Sequence, residues 1–263
     1  GVYRLGMPDG LGNYATRTIF NKESGLPGNS VKRVFEDLEG NIWIATYGDG
    51  ISLFSQQPFA FGSFQNPGLE NDVVSVAVSE KGILYMGGSG GLFRRGNGTG
   101  STAARVKGIP DDRVTALNID GQNLLIGTEN NGFFVMNIST AFVRKINYEA
   151  GSMGNSVSSI AAGKKYIFLG TRDGIFRFDR DFSESGHFTT DDLLPHNDIE
   201  QVFVNSRDSL LFATKSKGIY QLSEQGEAIN VFPAGESEIK FRSIAEDLQG
   251  GIWAATYGDG VFL

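Results

Sequence analysis

Two tyrosines stand two residues before an aspartate in matching turns, Tyr47-Gly48-Asp49 and Tyr257-Gly258-Asp259. An aromatic face suits the C–H side of a sugar ring, and planar polar groups suit its hydroxyls. Three other short polar stretches hold corresponding places: Glu129-Asn130-Asn131, Arg172-Asp173 and Lys215-Ser216-Lys217. Arg172 and Lys215 add cations that could hold an anionic group. The candidate ligand-binding residues are therefore Tyr47, Asp49, Glu129, Asn130, Arg172, Asp173, Lys215, Tyr257 and Asp259. The opposing reading is that these are solvated turn tips with no ligand.

The inventory for catalysis is thin. The two histidines, His187 and His196, lie in polar stretches without metal-ligand spacing. With no cysteine there is no thiolate nucleophile, thiolate metal site or disulfide framework. No Gly-x-Ser-x-Gly elbow with a downstream histidine occurs. The run Gly87-Gly88-Ser89-Gly90-Gly91 lacks the Lys-Ser/Thr pair and the helix of a phosphate loop. Asp37-Leu38-Glu39-Gly40-Asn41 lacks the distal glutamate of a calcium loop and reads as a β-turn. Asp111-Asp112 and Asp191-Asp192 offer paired carboxylates to a glycosidase, but adjacent residues usually point apart. No catalytic residue, metal site or cofactor is expected.

The turns belong to a repeat. Trp43-Ile44-Ala45-Thr46-Tyr47-Gly48-Asp49-Gly50-Ile51 returns near Leu125, Phe168, Leu211 and Trp253, and in a shorter form at Tyr85. The anchor glycines are Gly50, Gly91, Gly132, Gly174, Gly218 and Gly260, at intervals of about 41–44 residues. Gly1 opens Gly-Val-Tyr-Arg-Leu and reads as a seventh anchor. A strand-rich unit of this period is a propeller blade. In the first full unit, Val31 to Glu36 reads as the inner strand, 41–46 as the second and 51–54 as the third. A weaker outer strand is expected near 61–64. Glycine at each anchor permits positive φ in the turn. The small residues before it, as in Gly127-Thr128, suit close contact between sheets. Trp43, Tyr85 and Trp253 are expected to wedge between blades, because a blade cannot bury both faces alone.

Composition agrees. The chain has 263 residues, 40% of them hydrophobic, with 36 glycines against 7 prolines. This reads as an all-β, single-domain propeller of four-stranded blades spanning 1–263, six to seven in number, and most simply as a truncated seven-bladed ring. Both ends read as mid-strand, so an excerpt of a longer multi-domain chain is expected. A net charge of −7 without a Lys/Arg cluster argues against nucleic acid and anionic membrane surfaces. No apolar run approaches the roughly 18 residues that cross a bilayer.

Gly25-Leu26-Pro27-Gly28-Asn29-Ser30-Val31, then Glu36-Asp37-Leu38-Glu39-Gly40-Asn41-Ile42-Trp43-Ile44-Ala45-Thr46, resembles the two-component-regulator propeller repeat. Ile244 to Thr256 is similar, and weaker copies begin at Gly68, Gly108, Met153 and Leu194. The resemblance implies the periplasmic sensor part of an inner-membrane hybrid two-component system. It implies oligosaccharide ligands, control of polysaccharide-utilisation genes, and a histidine kinase elsewhere in the parent chain. A second propeller, a β-sandwich domain and a homodimer are implied as partners. The alternative is a structural or protein-interaction propeller without a small ligand.

Overall fold

The computed structural model describes residues 2–5, 17–24, 26–37, 41–47, 50–54, 72–96, 103–192, 194–223, 227–233, 239–258 and 261–262. The described residues form antiparallel sheets and two short 3-10 turns, at Lys22–Ser24 and Thr190–Asp192. In chain order the first sheet pairs β1 (Val2–Leu5) with β2 (Arg17–Phe20). The next holds β3 (Val31–Glu36), β4 (Ile42–Thr46) and β5 (Gly50–Phe54). Four-stranded meanders follow. The first runs β6 (Val73–Val78), β7 (Leu84–Gly88), β8 (Gly91–Arg95), β9 (Ala104–Arg105). The second runs β10 (Val114–Asp120), β11 (Asn123–Thr128), β12 (Phe133–Asn137), β13 (Val143–Ile146). The third runs β14 (Val157–Ala162), β15 (Ile167–Thr171), β16 (Gly174–Phe178), β17 (Glu184–Phe188). The fourth runs β18 (Ile199–Val204), β19 (Leu210–Thr214), β20 (Gly218–Leu222), β21 (Ala228–Pro233). The last sheet holds β22 (Phe241–Glu246), β23 (Ile252–Thr256) and β24 (Val261–Phe262).

The first strands pack cyclically: β3, β6, β10, β14, β18, β22, and back to β3. The molecule is an all-β propeller. The inner ring has six members among the described residues, whereas counting anchors suggests seven. The reason is structural. Anchors mark third strands, and β1 packs beside β23 and β24 instead of following an inner strand of its own. Val2 is buried with Trp253, and Phe20 stacks on Trp253 at 6.5 Å. Among the described residues, seven sheets surround this ring of six inner strands. Among the described residues, four sheets hold four strands, two hold three and one holds two. The outer strand expected near 61–64 and the anchors Gly1 and Gly260 lie outside the described residues.

The anchors that are described behave as their residue type requires. Gly50, Gly91, Gly132, Gly174 and Gly218 all have φ between 81° and 104°. That region strains any residue with a Cβ. The buried threonine at the end of the second strand closes the turn: Thr46, Thr128 and Thr171 each donate Oγ1–H to the anchor's carbonyl.

Core clusters are shared between neighbouring sheets, as a stacked repeat demands. Phe133 and Val135 pack with Ile160, Leu169 and Phe176, for example, and Tyr85 packs with Val114 and Leu124. Tyr85 and Trp253 fill these seams as expected. Trp43 is only half-buried, and its indole N–H is tied at 2.8 Å to Asp37.

The junction between β3 and β6 differs. Its packing is far sparser than at the other five. Among the described residues, the Met86–Phe93 cluster draws its members from the β6–β8 strands and Ala103. At four of the other five junctions a polar side chain stitches one inner strand to the next: Ser75 to the Val114 carbonyl, Ser159 to Val202, Gln201 to Ile244, and Ser243 to Val34; on β10 that position is Ala116. On β3 the corresponding residue is Arg33, which points elsewhere.

Candidate functional site

Every inner strand carries the same irregularity. The ladder skips one residue after the first residue of the strand, between Val31 and Arg33, Val73 and Ser75, Val114 and Ala116, Val157 and Ser159, Ile199 and Gln201, and Phe241 and Ser243. A β-bulge of this kind frees one residue from pairing and re-aims its side chain. The freed residues are Lys32, Val74, Thr115, Ser158, Glu200 and Arg242. All six line one cavity of about 270 Å³ on the ring axis. Nothing in their types marks them, so sequence reasoning missed them. Their signal is positional, the second residue of each inner strand.

The turns between second and third strands crowd the same end. Their first residues are hydrogen-bonded back to the residue or two before the inner strand. Tyr47 N–H donates to the Ser30 carbonyl, Glu129 to Arg113, Lys215 to Asp198 and Tyr257 to Lys240. This places Glu129, Arg172 and Lys215 in the cavity wall. The other candidates are placed differently. Tyr47 and Tyr257 are exposed, 61% and 56%, beside the mouth. Each ring lies next to a bulge cation: Lys32 Nζ is 5.1 Å from the Tyr47 centroid, and the Arg242 guanidinium 5.3 Å from that of Tyr257. Asn130 is spent on structure. Its side-chain amide and backbone N–H both donate to Asp112 at 2.9 Å. Asp173 lies beside His187, 3.9 Å from its Nε2. Asp49 and Asp259 fall outside the described residues.

The mouth is cationic. Lys32, Arg33, Arg113, Arg172, Lys215 and Arg242 face Glu129, Asp198 and Glu200. Three cations are ion-paired: Arg113 with Asp72 at 2.9 Å, Lys215 with Asp198 at 2.9 Å, and Arg242 with Glu200 at 2.8 Å. Lys32, Arg33 and Arg172 have no acid partner among the described residues. Burial, with Arg113, Arg33 and Arg242 nearby, lowers the Lys32 pKa to about 8. Arg33 reaches across the channel from β3, and its Nη2 donates to the Ser158 carbonyl at 3.3 Å. Its buried Nε has no partner. Burial also pushes the Arg33 pKa down, though a guanidinium remains charged at neutral pH.

The carboxylate pairs considered for hydrolysis are engaged separately. Asp111 pairs with Arg105 at 2.8 Å. Burial opposes ionisation of Asp112, but hydrogen bonds from Asn131, Asn130 and Arg113 outweigh it and hold its pKa below the usual range. Asp192 accepts from Thr189, and His196 Nδ1 accepts from the Asp198 backbone N–H.

Comparison with known proteins agrees with this fold. The two component regulator propeller family matches residues 25–48. No curated protein sequence matches the chain. The extracellular domain of a putative hybrid two component system from B. thetaiotaomicron superposes with TM-score 0.67 at 19% identity, over 99% of this chain and 39% of that one. The extracellular domain of a putative one component system from the same organism gives 0.59 at 19% identity, over 96% and 40%. The chain thus spans about two fifths of either. Virginiamycin B lyase from Staphylococcus aureus gives 0.65 at 14% identity, over 86% and 77%. Among the described residues, no helix is long and apolar enough to cross a membrane. The two component regulator propeller family thus matches the stretch that carries β3 and β4, in a propeller fold similar to those of two bacterial extracellular domains.

Proposed function

We propose that this chain is a non-catalytic sensing propeller in the periplasmic part of an inner-membrane two-component receptor, and that its channel mouth holds an oligosaccharide. One observation carries the reading: six bulge residues and three variable turn residues converge on one cavity. A scaffold that only spaced other domains would have no reason to gather its varied side chains there. Rigid strands with function on the loops between them are the usual way such folds bind ligands. Tyr47 and Tyr257 flank the mouth and offer ring faces to a sugar. The repeat match at 25–48 supports the receptor context. A second propeller, a β-sandwich, a dimer and regulated polysaccharide-utilisation genes belong to the same proposal.

Titration of the protein with neutral and acidic oligosaccharides by calorimetry tests it. Saturable binding that weakens in Tyr47→Ala and Tyr257→Ala is the expected result. A panel without a binder would end the sensing reading. The fold shared with virginiamycin B lyase favours a second reading, an elimination catalyst. Mass spectrometry of any bound ligand after long incubation separates the two, since a lyase releases product and a sensor returns the ligand intact.

A further inference from the structure

We propose that the channel mouth is an oxyanion site, built to hold a carboxylate or sulfate group between Lys32, Arg33 and Arg172. That this group is carried on a sugar rests on the reading above; the site itself does not.

The argument starts from bookkeeping of donors. Three of the six lining cations are neutralised by acids, and three are not. Arg33 is the most telling. Inner strands place a small polar residue at this position in Ser75, Ser159 and Ser243, where it ties one blade to the next. On β3 an arginine takes that place, and its junction with β6 loses the tie. A buried guanidinium with an unpartnered Nε is costly unless something accepts from it. The Ser158 carbonyl takes one of its five N–H groups. The remaining donors are free to form the forked, charge-assisted pair that carboxylates and sulfates accept.

Lys32 stands next to it, released from pairing by the bulge. It is faced by Arg33 on its own strand, by Arg113 ahead of β10 and by Arg242 on β22, with Asp72 ahead of β6 as the opposing charge. Those cations and burial depress its pKa. Arg172 is exposed on the β15–β16 turn, lines the same cavity and guards its entrance. A bound anion would relieve all three.

Lys32 supplies a readout that a structural role would not. Near pH 8 part of the Lys32 population is neutral, and an arriving anion restores its charge. Binding should therefore take up protons, and more weakly so at pH 6.

The experiment is calorimetric titration in two buffers of different ionisation enthalpy, at pH 6 and pH 8. The probes are a uronic-acid disaccharide, a sulfated disaccharide, a neutral disaccharide of the same linkage, and sodium sulfate. An acidic probe is expected to bind at least tenfold more tightly than the neutral one. Arg172→Met, at an exposed position, should lose about tenfold. Lys32→Met should abolish the proton uptake. Equal affinity for acidic and neutral disaccharides would overturn the oxyanion site and leave the sugar reading standing. Binding of sulfate with no disaccharide would do the reverse. Binding of acidic probes unaffected by Arg172→Met and Lys32→Met would place the site elsewhere and overturn the proposal.

Discussion

Gly127→Ala tests how tightly the blades are pressed together. Gly127 lies on β11 and faces β14 of the next blade. A Cβ there would sit 2.5 Å from Val157 Cγ1, 2.9 Å from Val157 Cβ and 3.1 Å from Ala116 Cβ. Carbon atoms prefer separations of about 3.5–4.0 Å, so the overlap is about 1 Å. Val157 is 1% exposed and Ala116 0%, which leaves nowhere to move. Val157 is also β-branched and stiff at χ1. Overpacking of this kind costs about 1–3 kcal/mol. In a chain of this size that is about 2–12 °C in Tm. Urea unfolding with an unchanged m-value measures it. Gly151→Ala is the control, because a Cβ there meets nothing within 4 Å, and it should stay within about 0.5 kcal/mol of the parent. Combining Gly127→Ala with Val157→Ala removes the Cγ1 contact but keeps the 2.9 Å contact with Cβ, so adding Gly127→Ala should cost less in the Val157→Ala background than in the parent. A Gly127→Ala protein indistinguishable from Gly151→Ala would refute the close approach.

Other consequences concern different parts of the ring. Asp247 accepts from Gln249 N–H, Gly251 N–H and the Trp253 indole at 2.8–3.0 Å, so Asp247→Ala should cost about 2–3 kcal/mol in urea unfolding, leaving a buried N–H unpaired. Lys32 titrates near pH 8 when folded against 10.5 for the free side chain. The unfolded chain then binds more protons between those values, and stability should rise as pH climbs from about 8 to 10.5. Lys32→Met should flatten that rise in melts taken across the window. Hydrogen exchange should find Val73–Val78 opening before Val157–Ala162, since β6 is stitched on one side only and sparsely packed regions open first.

The sequence made the blades legible because glycine at positive φ has few substitutes. The anchors therefore stand out at a fixed period. It made the outer architecture legible less well. Gly1 and Gly260 carry the same signature, but a signature of third strands says nothing about which inner strand they serve. The turn residues could be located at one end of the strands, since polar tips between repeated strand patterns are plain to read. Their roles could not. Asn130 reads as a ligand donor, and in the fold its side-chain amide donates to the buried Asp112. The bulge residues were invisible for a physical reason: a bulge is a property of pairing between strands, and lysine, valine, threonine, serine, glutamate and arginine share no chemistry. One further link was within reach. Asp37 and Trp43 share a six-residue spacing with Asp247 and Trp253, and each pair is joined by an indole hydrogen bond. The middle repeats lack both partners together. The aspartate holds the turn and the tryptophan at once, so losing one removes much of the reason to keep the other.

The account rests on the mouth of the ring being where ligand is held. The chain has no cysteine, so single thiols report cleanly. Ser156 lines the cavity, and Arg207 is exposed on the turn between β18 and β19, at the opposite end of the strands. Alkylation rates of Ser156→Cys and Arg207→Cys, measured with and without a saturating acidic disaccharide, compare the two ends directly. The account predicts strong protection of the first thiol and none of the second; equal protection, or protection at position 207 alone, would contradict it.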